Sequence, residues 1–253
     1  MHELGDAAAA VSLKYFKKPM EVLSKGAKLG TNFDPVTVAD RNVEHAIRTL
    51  ITERFPDHNI LGEEHGTENK NSDFTWVIDP IDGTRSFISG IPTWGTLIAL
   101  HDGNNPIVGM LDQPYLKERY IGTAQSSNLN GEKINVRPCP DIFSATISCT
   151  DPLQLFTNED EQDKFFRVAA GAKLMKNGYD CYAYAMIAAG FMDVVVEAGL
   201  EPYDIQALIP IIEGAGGIVT NWQGGPADQG GQVVACGDKR LHEQVIGLLN
   251  TTI

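Results

Sequence analysis

The sequence predicts a layered α/β fold in two halves, and three observations lead to that class. The chain has 253 residues, enough to bury one large core or two smaller ones. The first half holds a run of short strand-like segments, with a hairpin-type turn at 102–105. In the second half strand-like and helical segments alternate, as in layered α/β domains. We place the boundary near Val136 to Pro140, which gives halves of 1–136 and 137–253.

The N-terminal half is predicted to combine two helices with antiparallel strands. An alanine-rich segment at 6–23 favours a helix, and the glycines and lysines of 25–33 are typical of a loop. A second helix is predicted to begin at Asp34-Pro35 and to end before Pro56, because aspartate is a good N-cap and proline suits the first helical position. Its apolar stripe consists of Val36, Val43, Ile47, Leu50 and Ile51. Short strands are predicted near Ile60 and at 74–79, 94–101, 106–112 and 117–122.

The C-terminal half shows the alternation on which the fold class depends. Predicted strands lie at 144–149, 172–176, 191–197, 216–220 and 232–236. Predicted helices lie near 160–170, 180–189, 203–213 and 239–250. The third of these helices contains Pro210, which lacks a backbone donor, so we expect it to kink or to be shorter than drawn.

Composition restricts the class of protein. With 43% hydrophobic and 21% charged residues, the chain is typical of soluble globular proteins. No apolar run is long enough to span a membrane and no N-terminal signal pattern is visible, so we expect a cytoplasmic protein without a membrane partner. The cysteines form no C-x-x-C pair, which favours reduced, mostly buried thiols over a zinc site. They are Cys139, Cys149, Cys181 and Cys236.

The formal net charge of −13 argues against a nucleic-acid surface, which is usually basic. The same charge would repel a phosphorylated substrate unless a bound divalent metal reversed the sign locally. Solubility alone is the simpler explanation, and the charge by itself does not distinguish the two.

The segment from Trp76 to Thr84 carries the strongest chemical signal. An apolar strand leads into Asp79-Pro80-Ile81-Asp82-Gly83-Thr84, which places two carboxylates three residues apart. Hard divalent cations prefer such clusters of oxygen ligands. The glycine permits a tight turn, after which backbone amides can face an anion. The motif predicts metal-assisted phosphate chemistry, although Asp-Pro-x-Asp-Gly alone is also compatible with a plain turn.

Two acids of the predicted second helix differ in what they indicate. Asp34 is explained simply as a helix cap. Asp40 lies three residues before Val43 and seven before Ile47, on the apolar face of the helix. A carboxylate buried there needs a partner, for which a hydroxyl or a metal-bound water would serve.

Further acids follow predicted strands or begin predicted helices. Glu63 comes directly after a predicted strand, although a solvated loop is the simpler explanation. Glu197 ends the strand that contains Val194-Val195-Val196. Asp204 falls in the first turn of a helix, where a carboxylate suits the helix dipole whether or not it binds a metal. Acids at these places often line clefts in α/β sheets.

In order and spacing, these motifs resemble the inositol monophosphatase family of metal-dependent phosphatases over nearly the whole chain. The matching motifs are Asp34…Thr37…Asp40 with Glu63, Asp79 to Thr84, and Tyr203-Asp204 with Gly214-Ala215-Gly216-Gly217. The resemblance implies a five-layer αβαβα sandwich of the inositol monophosphatase and fructose-1,6-bisphosphatase type, and commonly a homodimer. Within the family the chain is most similar to the histidinol-phosphate phosphatase branch, through 83–90, 178–184 and 199–204.

The chain departs from the wider family at two positions. The usual Trp-Asp of the third motif is Tyr203-Asp204 here, and Arg85 replaces the small polar residue typical of inositol phosphatases. Both departures argue against inositol phosphate as the main substrate.

The resemblance also implies roles for individual residues. Side-chain ligands for two or three Mg²⁺ ions are Glu63, Asp79, Asp82 and Asp204, with the Ile81 carbonyl as a backbone ligand. Thr84, paired with Asp40, would orient and help to deprotonate the attacking water, and Glu63 belongs to the same catalytic group. The amides of Gly83 and Thr84 would bind phosphate, and Asp34 would support the Thr84–Asp40 pair. Displacement would be direct and in line, without a phosphorylated residue.

Histidinol phosphate carries an ammonium and a partly protonated imidazole, which carboxylates and aromatic rings suit. The candidate substrate-binding residues are Tyr179, Asp180, Glu197, Tyr203 and Arg85. Asp180 has an alternative explanation as the N-cap of the following helix, and Tyr203 as a core residue. Arg85 would reach either substrate phosphate or a partner subunit.

Two kinds of rival function remain open. One is another phosphatase of the family, acting on inositol 1-phosphate, a 3′-phosphoadenosine nucleotide or fructose bisphosphate. The other is a regulatory protein that kept the fold and lost turnover, since some family members are linked to RNA-polymerase or ribosome biology. The complete set of acids, together with Thr84, favours an enzyme.

Overall fold

The computed structural model describes residues 1–24, 26, 35–156 and 158–251, and in this part of the chain two main β-sheets alternate with layers of helices. The helices are α1 (His2–Tyr15), α2 (Val38–Arg54), α3 (Thr84–Ile88), α4 (Glu159–Gly171), α5 (Cys181–Ala188), α6 (Pro202–Ile205), α7 (Leu208–Gly214) and α8 (Lys239–Leu249). A short 3₁₀ helix spans Ile142–Ser144. Among the described residues, no helix is both long and apolar enough to cross a bilayer.

The first main sheet contains eight strands. Its members are β3 (Asn59–Gly62), β4 (Gly66–Glu68), β5 (Thr75–Asp82), β6 (Gly95–His101), β7 (Pro106–Gln113), β8 (Glu118–Thr123), β9 (Ser127–Leu129) and β10 (Glu132–Ile134). Their order is β10-β9-β8-β7-β6-β5-β3-β4, and only the β3–β5 pair is parallel. The predicted hairpin is confirmed, since β6 and β7 pair antiparallel across the turn at 102–105. A separate two-stranded ribbon joins β1 (Val22–Ser24) to β2 (Pro35–Thr37).

The second main sheet contains five strands, in the order β12-β11-β13-β15-β14. They are β11 (Thr146–Ser148), β12 (Leu174–Met175), β13 (Val194–Leu200), β14 (Ile218–Asn221) and β15 (Gly231–Cys236). β11 runs parallel to both of its neighbours, whereas β15 runs antiparallel to β13 and β14. All five predicted strands of the C-terminal half are confirmed, with shifted ends.

Side-chain alternation on the strands connects the layers. On β5, Trp76 and Ile78 pack with α1 and α2, whereas Val77 faces the central helices α5 and α7. On β13, Val195 faces the same central helices, while Val194 and Val196 pack against α4 and α8. The layers are therefore helix, sheet, helix, sheet, helix, and the predicted αβαβα sandwich is confirmed.

The predicted start of the second helix at Asp34-Pro35 is wrong. Pro35 belongs to β2, and α2 begins only after Thr37, whose backbone is extended at φ −123°. The Thr37 hydroxyl accepts a hydrogen bond from the Ala39 amide, and the Asp40 carboxylate accepts one from the Thr37 amide. This reciprocal capping box fixes the helix start three residues later than the aspartate-proline pair suggests. Asp34 itself lies outside the described residues.

Two other predicted helices are shorter than expected. The first ends at Tyr15 rather than near 23, because Lys17 adopts a left-handed φ of 58° and Pro19 follows. The segment predicted as one helix at 203–213 is divided into α6 and α7. Pro210 is the third residue of α7, within the first turn, where a missing amide costs no helical hydrogen bond.

Candidate active site

The end of β5 turns sharply into α3. A register shift against β6 lies between Asp79 and Asp82, so the strand bulges where its two carboxylates stand. Gly83 then takes a left-handed φ of 80°, which lets the chain enter α3 at Thr84. The first amides of a helix have no intrahelical acceptor, so those that begin α3 are available to an anion.

Three carboxylates from both halves of the chain meet here. Asp79, Asp82 and Asp204 each offer an oxygen, and these oxygens lie within 4.8 Å of one another. Asp204 reaches the cluster from α6, where one of its oxygens accepts from the Glu201 amide at 2.7 Å. Burial raises the pKa of Asp79 well above its usual range, and the charges of Glu63, Asp82 and Asp204 raise it further.

The cluster fits a hard divalent cation. Burial also raises the pKa of Asp82, and the charges of Asp180 and Asp204 raise it further. Like charges held this close repel one another, and a divalent cation would cancel that repulsion. Because carboxylate oxygens are the ligands that Mg²⁺ prefers, the residues present match such an ion in both charge and chemistry.

A chain of hydroxyls and a carboxylate runs along one side of the cluster. Asp40 is 1% exposed, and its Oδ2 accepts from the Thr37 hydroxyl at 2.6 Å. Its Oδ1 lies 3.2 Å from the Thr84 hydroxyl, which also lies 3.1 Å from the Ile81 carbonyl. Burial raises the pKa of Asp40, partly offset by its bonds to Thr37. The Thr84 hydroxyl has one hydrogen but two acceptors within reach. If a cation bound the Ile81 carbonyl oxygen, the hydroxyl would donate that hydrogen to Asp40.

Asp180 lines the same cavity as Asp82 and Thr84, but its side chain does not cap α5. Its Oδ2 accepts from the Ser86 hydroxyl at 2.5 Å, and Thr93 donates to Ser86 at 3.0 Å. Although Asp180 precedes α5, no capping hydrogen bond joins its side chain to the helix, and its φ is 48°. The capping explanation is therefore wrong. A Cβ on Gly83 would lie 2.8 Å from the Asp180 Cγ, so the two segments touch.

Glu197 is buried on β13 beside the same cavity. One oxygen accepts from both the amide and the hydroxyl of Thr150, at 2.7 and 2.5 Å, and the other from the Tyr184 hydroxyl at 2.8 Å. Burial raises the pKa of Glu197, while these donors lower it. The carboxylate is thereby fixed in one orientation.

Most of the predicted site residues line one open cavity. Of the residues predicted from sequence, those lining it are Glu63, Asp82, Gly83, Thr84, Arg85, Asp180, Glu197 and Asp204. Asp79, Ile81 and Asp40 stand behind that lining, in contact with it through the cluster and through Thr84. Arg85 donates to Gln154 at 3.4 Å.

The structure does not bring every predicted residue into the wall. As far as the described residues form the cavity, neither Tyr179 nor Tyr203 lines it. Both are half-buried and pack against the core between the two sheets. Burial raises the pKa of Tyr203, with Asp204 and Glu63 adding to the shift, so the ring lies near the acids.

Sequence reasoning missed several residues of the site. Ser86 and Thr93 hold Asp180, and Thr150 and Tyr184 hold Glu197. Ser86 stands two residues after Thr84, and Tyr184 lies one helical turn after Asp180, so local spacing hinted at both. Thr93 and Thr150 belong to no motif. All four cysteines are free and buried, and the Cys181 amide donates to Asp82 at 2.7 Å.

Comparison with known proteins gives a consistent result. A model of the inositol monophosphatase family matches residues 2–253. The chain is 44% identical over 255 residues to the chloroplastic bifunctional phosphatase IMPL2 of Arabidopsis thaliana, which covers 96% of this chain and 72% of that protein. It is 35% identical over 225 residues to a histidinol-phosphatase of Chlorobaculum parvum, covering 88% of this chain and 84% of that protein. The solved inositol monophosphatase of Zymomonas mobilis superposes with a TM-score of 0.87 at 37% identity, covering 99% and 96% of the two chains.

Proposed function

Because the chain belongs to the inositol monophosphatase family of phosphatases, we propose that it hydrolyses histidinol phosphate to histidinol and phosphate, a step of histidine biosynthesis. We propose Mg²⁺ as its cofactor, with two or three ions per site. The observation that carries the substrate assignment is that Asp180 and Glu197 line the same cavity as Asp82 and Asp204. The phosphate of one substrate would then lie at the metal-binding acids, and its cationic end would lie beside the carboxylates of Asp180 and Glu197.

Residues of both halves would hold the ions. These are Glu63, Asp79, Asp82 and Asp204 through their carboxylates and Ile81 through its carbonyl. Magnesium, when bound, supplies positive charge for the phosphate oxygens, the attacking water and the leaving oxygen. That charge would also offset the repulsion between a phosphate and a chain of net charge −13.

The remaining steps belong to the chain's own side chains and amides. Thr84 would take a proton from the attacking water as it passes its own hydrogen to Asp40 Oδ1, 3.2 Å away, so that Thr84 stays neutral and Asp40 becomes protonated. Burial, which raises the pKa of Asp40, makes that carboxylate a better proton acceptor. Glu63 would help to orient the water. The amides of Gly83 and Thr84, at the start of α3, would hold the phosphate for in-line displacement.

The direct test is a phosphate-release assay over four substrates, each with Mg²⁺ and with EDTA. These are histidinol phosphate, inositol 1-phosphate, a 3′-phosphoadenosine nucleotide and fructose bisphosphate. We expect the highest kcat/KM for histidinol phosphate and no release in EDTA. A higher kcat/KM for any other member would replace the proposed substrate. No release from any of them would favour the regulatory class.

A charge variant tests how the substrate is recognised. Asp180→Asn removes the charge and keeps an oxygen for the Ser86 hydroxyl. A hydrogen bond between charged groups contributes about 1.5–3 kcal/mol, so we expect kcat/KM for histidinol phosphate to fall about 10–100-fold. For β-glycerophosphate, which has no cation, it should stay within about threefold of the wild-type value. Equal losses on both substrates would contradict a cation-binding role.

Two further proposals concern the whole molecule. We propose a cytoplasmic homodimer, as in the wider family, that binds a small phosphorylated substrate and neither nucleic acid nor membrane. The edge strand β12 supports an interface, since Leu174 and Met175 are 48% and 43% exposed there. Light scattering should give twice the mass of the 27.5 kDa chain, and a monomer at all concentrations would refute the dimer.

A further inference from the structure

A buried carboxylate on α2 accepts hydrogen bonds from the turn that carries Glu63. Glu44 is 0% exposed and lies one helical turn after Asp40, on the same helix. Its Oε2 accepts from the Glu64 amide at 2.7 Å, and its Oε1 accepts from the His65 amide at 3.2 Å. Both amides belong to the turn between β3 and β4, so one side chain satisfies two backbone donors beside Glu63.

Arg48, on the next turn of the same helix, binds both Glu44 and the turn. Its Nε donates to Glu44 Oε1 at 2.7 Å, and its Nη2 donates to the Gly66 carbonyl at the far end of the turn. Gly62 opens the turn, and a Cβ at that position would overlap Glu44 Oε1. A side chain at position 62 would therefore displace the Glu44 carboxylate from the turn.

The backbone of Glu63 is consequently held on two sides. Its own amide donates to the Ile78 carbonyl of β5 at 3.1 Å, one residue before Asp79. The next amide, that of Glu64, is held by Glu44. We infer that Glu44 is a positioning residue for the metal site, which sets the distance between the Glu63 carboxylate and the acids at the end of β5.

This inference rests on the proposed role of Glu63 as a magnesium ligand. Residues that orient metal ligands typically change metal affinity 10–100-fold when they are replaced. A group that served the fold alone would lower thermal stability without changing the affinity for Mg²⁺. The two roles are therefore separable by measuring metal binding in the absence of substrate.

The test compares Glu44→Gln with Asp193→Asn. Asp193 is a matched control because it too is a buried carboxylate, 1% exposed, that accepts from an arginine, Arg137, and from a backbone amide, that of Thr146. It lies beside β11, outside the lining of the active-site cavity. Each change removes the same charge from the same kind of cluster.

Mg²⁺ binding is measured by calorimetry on the metal-free proteins, and Tm is recorded with and without Mg²⁺. We expect Glu44→Gln to weaken Mg²⁺ binding about tenfold or more, and to raise the Mg²⁺ concentration that half-saturates phosphate release by a similar factor. Asp193→Asn should lower Tm while its Mg²⁺ affinity stays at the wild-type value. Equal Mg²⁺ affinity in all three proteins would overturn the inference.

A second variant covers the case in which Glu44→Gln does not fold. Glu44→Asp keeps the charge but is one methylene too short to reach both amides, so we expect weaker Mg²⁺ binding in the same direction. Unchanged binding in that variant would refute the positioning role. If the wild-type protein itself binds no Mg²⁺, the proposed function fails, which is a different result from variants that bind as well as the wild type.

Discussion

Neutralising one acid of the cluster should stabilise the metal-free protein while removing its response to magnesium. Asp79, Asp82 and Asp204 hold ligand oxygens within 4.8 Å of one another, so ionised pairs repel. At that separation two unit charges interact by about 3.5 kcal/mol with an effective dielectric constant of about 20. Partial protonation relieves some of this repulsion, since the pKa values of Asp79 and Asp82 are raised.

The change Asp82→Asn removes one charge and leaves a carbonyl oxygen that can still accept from the Cys181 amide. We expect its free energy of unfolding in EDTA to rise by about 1–3 kcal/mol, the part of the repulsion that protonation does not relieve. For a chain of this length that corresponds to a gain of roughly 2–12 °C in Tm. With Mg²⁺ at 1,000 times its Kd the order should invert, because binding then stabilises the wild type by about 4.1 kcal/mol, more than the advantage of the variant in EDTA.

Thermal unfolding followed by circular dichroism, in EDTA and in excess Mg²⁺, measures both effects. Asp193→Asn is again the control, since it loses an ion pair with Arg137 remote from the cluster and should be less stable than the wild type in both buffers. Hydrolysis by Asp82→Asn should be absent even at saturating Mg²⁺. A variant Asp82→Asn that melts below the wild type in EDTA would refute the repulsion between the acids, and an equal rise in Tm with Mg²⁺ would refute the role of Asp82 as a metal ligand.

The turn at Gly83, the Thr84 hydroxyl and the raised pKa values of the acids can each be tested. Gly83→Ala places a side chain at φ 80° and a Cβ 2.8 Å from the Asp180 Cγ, so it should cost at least about 1–2 kcal/mol and lower Tm; an unchanged Tm would contradict the turn's role. Thr84→Val should lower kcat about 10²–10⁴-fold, with the Mg²⁺-induced rise in Tm retained, whereas a kcat near wild type would exclude proton transfer through this hydroxyl. The raised pKa values of Asp40, Asp79 and Asp82 mean that the folded state holds more protons than the unfolded state above the usual value of 3.8. Denaturant titrations of the metal-free protein should therefore show stability falling as pH rises from about 4, and excess Mg²⁺ should flatten that slope; a metal-free stability that rises with pH would reverse the sign.

Local patterns were sufficient where one element carries the signal. Asp40 stands on the apolar face of a helix, so periodicity predicts its burial, and the spacing of the two β5 acids after an apolar run predicts a metal site. The start of α2 shows the limit of such reasoning, because two cap signals lie within seven residues. The pair Asp34-Pro35 competes with the capping box of Thr37 and Asp40, and pairing of β2 with β1 leaves only the second compatible with a helix.

The substrate-facing wall was less accessible to sequence reasoning for a physical reason. Its hydrogen bonds join residues far apart in the chain, 94 positions for Ser86 and Asp180 and 47 for Thr150 and Glu197. The periodicity of apolar residues along a helix or strand does not predict which distant residues form such pairs. Tyr179 and Tyr203 are candidates for substrate contact because of their chemistry, yet both pack against the core between the sheets, which is the alternative that the sequence leaves open for Tyr203.

The bond between Ser86 and Asp180 also makes two substitutions at one position informative. Ser86 belongs to α3, the helix that begins at Thr84, so Asp180 is tied to the segment that would hold phosphate. Asp180→Asn keeps an acceptor for that hydroxyl, whereas Asp180→Ala removes the acceptor as well as the charge. We therefore expect both variants to lose preference for the cationic substrate, and only the alanine variant to lose turnover of β-glycerophosphate as well. Kinetics on both substrates measure this difference, and an equal loss of β-glycerophosphate turnover in the two variants would show that the hydrogen bond to Ser86 does not position α3.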